Sequence, residues 1–164
     1  LRAQLVLRLA ENAGLPDLSW FPTAPTLAGD LRQVLVLDFP NTVITPNESE
    51  LAARGDLDEW RAVGRANLWH MMRSEKRDHE VVGRGEGGRF DVLIGDSVYT
   101  ASMAMFLPEL LAFVAQTDLG QGVFVAVPFR HQVAFRVIDG PEAAQGLQNP
   151  SGSRWLATTT ERAP

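Results

Sequence analysis

Gly95-Asp96-Ser97 closes the apolar run Val92-Leu93-Ile94 and stands just before a helical region. A strand that turns tightly into a helix exposes a serine hydroxyl, so Ser97 is the residue best placed to act as a nucleophile. It would need a base and an orienting acid. His131 is the one histidine that follows it, and Asp96 or Asp139 would supply the carboxylate.

The rest of that chemistry is not legible. The Gly-Asp-Ser type of serine hydrolase carries its base in a late Asp-x-x-His, whereas here Pro128 occupies the acid position before His131. Its Gly and Asn oxyanion donors have no recognisable counterpart either. The favoured reading is a Gly-Asp-Ser turn whose serine caps the following helix. A hydrolase using Ser97, His131 and Asp96 is the alternative.

Other candidate motifs are weaker. Gly83 to Gly88, "GRGEGG", matches a phosphate-wrapping glycine pattern but precedes a strand-like run instead of opening a helix, which makes it a hairpin turn. His70, His79 and His131 lack the close spacing of a metal site, and with no cysteine in the chain neither a thiolate metal site nor a disulfide can form. No metal and no cofactor is expected. A formal charge of −5 disfavours nucleic acid as a partner, because phosphate binding needs a basic face. The apolar segment around residues 103–115 is too short and too polar to span a bilayer. A cytoplasmic protein is expected.

The elements that must position these residues read as one α+β domain over residues 1–164, a largely antiparallel sheet of hairpins packed against helices. Within residues 1–30, Leu1, Leu5, Leu9 and Ala13 recur every fourth position and predict a helix ended by Gly14 and Pro16. An extended connector follows, with Trp20 and Phe21 plugging the core edge. "QVLVLDF" is a buried strand closed by Pro40. Asn47 with Glu50, and Asp56 with Glu59, have the spacing of helix caps. "HEVVGRGEGGRFDVLIG" is a hairpin turning near residues 85–88, and residues 99–116 are helical with a break at Pro108. "GVFVAVP" and "QVAFRVI" form a strand pair joined between Pro128 and His131, before a short helix near Ala143 and a last strand in "RWLATTT".

The helix predicted over residues 57–73 carries the second set of candidates. Its apolar face holds Leu57, Trp60, Gly64, Asn67, Leu68 and Met71, so the Asn67 amide must find polar partners there. Trp69 projects roughly 180° from Trp60, near Ala62 and Ala66 and beside Arg65. Such an aromatic with an arginine and small neighbours is a binding-surface combination, while packing beneath the N-terminal segment is the structural alternative. Trp69, Arg65 and Tyr99 are the candidate binding residues, for a protein partner, a second copy of the chain or a small ligand.

Three segments, "VITPNESELAARGDLDEWRAVGRANL", "GDSVYTASMAMFLPELL" and "GVFVAVPFRHQVAFRVID", together resemble the YtpQ-like family of bacterial proteins, a domain of unknown function. The likeness spans residues 42–139 and rests on Ala66-Asn67-Leu68, on Thr100-Ala101-Ser102, and on Pro128 with His131. Thr100 and His131 stand where the family pattern has Asp. The resemblance implies a compact α+β domain and no established activity, and the expected function is a non-catalytic protein- or ligand-binding module.

Overall fold

The computed structural model describes residues 1–83, 89–114 and 122–138, together with the backbone of a strand at Trp155–Thr158. The chain is α+β, with antiparallel strands in two sheets and helices packed on them. It divides into two compact units, Leu1–Glu75 and Lys76–Pro164, each with one sheet.

In the first unit the long strand β3 (Leu31–Phe39) is central. β1 (Leu5–Glu11) runs antiparallel along one edge, from Leu5 opposite Leu37 to Glu11 opposite Leu31. β2 (Thr26–Ala28) and β4 (Thr42–Ile44) pair with the two ends of its other edge. Gly29, at φ 56°, makes the tight turn between β2 and β3, a backbone angle that glycine adopts without penalty.

β1 corrects the N-terminal helix read from the fourfold leucine spacing. Leu5, Val6 and Leu7 are all buried, which requires an element covered on both faces. A helix would have sunk only the stripe of Leu1, Leu5 and Leu9, whereas a strand buries Leu5, Leu7 and Leu9 on one side and Val6 on the other. The connector is not uniformly extended: a 3-10 turn at Leu18–Trp20 is capped by Asp17, whose carboxylate accepts from the Ser19 amide at 2.8 Å. Hydrogen bonding from the Ser19 side chain and backbone holds that carboxyl below its ordinary value. Phe21 is fully buried as expected, but Trp20 is exposed.

α1 (Glu48–Ala52) and α2 (Leu57–Ser74) begin where the caps predicted. Asn47 accepts from the Ser49 amide, and Asp56 accepts from those of Asp58 and Glu59 at 2.9 and 3.0 Å. Gly64 lets α2 lie directly against the sheet, because a Cβ there would fall 2.7 Å from Leu35 Cδ2 and 3.0 Å from the Leu7 amide nitrogen. Trp60, Gly64, Leu68 and Met72 form its buried face; Met71, expected there, is half-buried.

In the second unit the strand order is β5-β6-β8-β7-β9, comprising β5 (Arg77–Val82), β6 (Phe90–Gly95), β7 (Val123–Phe129), β8 (Gln132–Val137) and β9 (Trp155–Thr158). All neighbours are antiparallel. The β5–β6 hairpin is as expected; the turn expected near residues 85–88 falls outside the described residues, as do the helix expected near Ala143 and Asp139. By register, Leu93, Val133, Phe135, Val123 and Val125 share one buried sheet face, and a 3-10 helix (Thr100–Met105) packs against β6, β7 and β8. α3 (Leu107–Phe113) follows a break at Phe106, two residues earlier than expected. Pro108 sits in the first turn of α3, where its missing donor costs nothing. No described helix is long and apolar enough to cross a membrane.

Candidate functional site

The hydrolase candidates lie at one end of the second unit. Arg130 and His131 form the two-residue turn of the β7–β8 hairpin, closed by Phe129 opposite Gln132. Two backbone bonds pin this turn to the residues on either side of the loop after β6: the Gly95 amide donates to His131 O and the Ala101 amide donates to Arg130 O, each at 3.1 Å. Ser97 and His131 therefore occupy adjoining loops.

Their functional atoms are otherwise engaged. Ser97 Oγ accepts from the Tyr99 amide at 3.2 Å, while Ser97 O accepts from the Thr100 amide and from Thr100 Oγ1. The expected Gly-Asp-Ser turn is present, but its serine closes a local turn before the 3-10 helix and does not cap it, because the N-cap is Tyr99 and no side chain caps the helix. His131 Nε2 accepts from Arg130 Nε at 3.0 Å, and the ring leans on Phe129 with centroids 6.4 Å apart. Since a guanidinium can only donate, Nε2 is the acceptor in this contact and is taken up by it. Asp96 is exposed, and among the described residues no hydrogen bond joins it to Ser97 or His131. Tyr99 is only 3% exposed, a core residue behind that loop, which removes it from the candidate binding residues.

The remaining histidines do not converge. His70 is exposed on α2, while His79 lies in β5 and shares a 2.7 Å hydrogen bond with Asp91 on the neighbouring strand. Sequence reading missed that pair because it depends on strand register. Among the described residues no cluster of His, Asp or Glu could hold a metal ion.

The α2 candidates are positioned by the opposite side of that helix. Trp60 faces inward at 7% exposure, its indole N–H donating to Leu51 O at 3.2 Å and its ring covered by the Arg2 guanidinium at 5.0 Å. Asn67 Nδ2 donates to Arg2 O and to Leu5 O, both at 2.8 Å, which satisfies the amide as expected and ties α2 to the start of β1. Half a turn away, Glu59, Ala62, Ala66, His70 and Arg73 are all exposed, flanked by exposed Arg65 and half-buried Trp69. The strip is small and uncharged at its middle, acidic at its start and basic at its end.

Two further features of this unit escaped sequence analysis. Glu48, 7% exposed, accepts from the Thr23 amide and hydroxyl at 2.8 and 2.9 Å and from Arg61 at 2.9 Å. An open groove of about 500 Å³ is lined by Leu37, Pro46, Leu51 and Ala53, with Glu50 and Arg54 beside them. No protein-family model, curated protein or solved structure matches the chain.

Proposed function

We propose that this chain is a non-catalytic protein-binding module whose docking surface is the outward strip of α2, with Trp69 and Arg65 at its margin. The observation that carries this reading is Trp69, a large aromatic only partly buried beside exposed Ala62 and Ala66, whose small side chains let another surface approach closely. The likeness of residues 42–139 to the YtpQ-like family accords with it, since that resemblance implies no activity; a bacterial, cytoplasmic setting is part of the same proposal. The test is Trp69→Ala. A docking residue gives unfolding close to that of the parent, well short of the roughly 3–5 kcal/mol lost on truncating a core tryptophan. A loss of that size would place Trp69 in the core and end the reading.

One observation supports a second reading, a hydrolase: the backbone bonds from Gly95 and Ala101 hold the loops of Ser97 and His131 together. That reading needs the Ser97 hydroxyl to leave the Tyr99 amide and His131 Nε2 to leave Arg130, so binding is the better supported. A fluorophosphonate probe separates them. No modification is expected; specific labelling at Ser97, lost in Ser97→Ala, would establish the hydrolase instead.

A further inference from the structure

We infer that the occupant of the α2 strip is a second copy of this chain, the two helices packing antiparallel about a twofold axis near Ala66. This inference rests on the docking role proposed for that strip and adds the partner. It is carried by how the strip is ordered along the helix. Taken from one end, the outward positions are Glu59, Ala62, Ala66, His70 and Arg73, with Trp69 beside Ala62 and Ala66 on one flank. At about 100° per residue, all of these lie within roughly 60° of Ala66 around the helix axis.

An antiparallel twofold sets each position against one at the same distance beyond the axis. Ala66 then meets Ala66 of the partner subunit, which permits close approach of the two helices at the crossing. Ala62, four residues before the axis, falls at the level of His70 of the partner subunit, and the partner's Trp69, one residue nearer the axis, lies on the same flank as Ala62 and can cover its methyl group. Glu59 meets the partner's Arg73, and the same contact recurs at the other end. Antiparallel alignment also opposes the two helix dipoles favourably.

The charges are available for this. Asp58 is already bonded to Arg61 at 2.8 Å. The side chains of Glu59 and Arg73 make no hydrogen bond or ion pair among the described residues, so neither carboxylate nor guanidinium gives up a described partner. A parallel pair loses the match: it would set Glu59 against Glu59 and Arg73 against Arg73, which is repulsive at both ends.

α2 is 18 residues long, about 27 Å, and a contact confined to one helix per chain falls at or below the roughly 1,200 Å² of a standard interface. The dimer should accordingly form at micromolar concentrations. Sedimentation equilibrium across that range tests it. The parent is expected to shift from 18.0 kDa toward twice that mass as concentration rises. Glu59→Arg alone and Arg73→Glu alone should each weaken association roughly tenfold or more, because like charges then meet at both ends.

An equimolar mixture of those two variants should regain it, since each contact again joins an arginine to a glutamate. That regain cannot come from misfolded chains. A parent that stays monomeric into the hundreds of micromolar, or a dimer indifferent to both reversals, overturns the inference. The docking role itself fails by a different result, the core-sized stability loss in Trp69→Ala.

Discussion

Asn67 shows how much one side chain does in this fold. It stands on the inward side of α2 and spends both amide protons on carbonyls near the start of β1, those of Arg2 and Leu5. Asn67→Leu would leave those acceptors without their donors, so we expect a loss of about 1–3 kcal/mol in chemical denaturation; a variant as stable as the parent would refute the role given to the amide. Gly64 is similarly specified. Alanine would favour the helix by up to about 1 kcal/mol, but its methyl would press on Leu35 and on the Leu7 backbone, so Gly64→Ala should destabilise on balance. The need for a partner at Asn67 was readable from its apolar neighbours. The contact at Gly64 was not, because it depends on which strand lies beneath the helix.

Among the elements, α2 was legible nearly to the residue, since a capping aspartate, a helical apolar period and good helix formers all agree. β1 was not. Its leucines satisfy a fourfold and a twofold spacing alike, and what decides is the neighbouring strand β3, which binds it along its whole length. The Glu48–Thr23–Arg61 cluster was invisible for a related reason, as its bonds join segments 13 to 38 residues apart. Removing one member of a buried ion pair costs roughly 3–5 kcal/mol, and the partial exposure of Arg61 puts Glu48→Ala at the lower end of that range, measurable by thermal unfolding.

β5 is an edge strand with exposed Val81 and Val82. Antiparallel pairing with another β5 centred on Asp78, His79 or Glu80 would set one carboxylate directly against another, which guards the edge. Asp78→Val with Glu80→Val should therefore promote self-association beyond that of the parent, visible by light scattering, whereas scattering unchanged from the parent would show that the edge is protected by something else.

At the scale of the molecule, each unit has its own sheet and its own candidate residues, Trp69 and Arg65 in the first and Ser97 and His131 in the second. Ser97 and His131 were found in sequence by residue type, and the structure brings their loops together while the Tyr99 amide and Arg130 occupy the atoms a hydrolase would use. Trp69 and Arg65 were found by helical periodicity, which places side chains around an axis but says nothing of the charges that oppose them in a partner. That ordering emerged only with the exposed strip in view.

The chain has no cysteine, so a single Ala66→Cys places one thiol at the centre of the strip, and its rate of reaction with a maleimide at rising protein concentration is the most direct measure of binding there. We expect rapid labelling in dilute solution and progressive protection through the micromolar range, reversed by Glu59→Arg. A rate that stays that of an exposed thiol at every concentration would contradict docking of a second copy on α2.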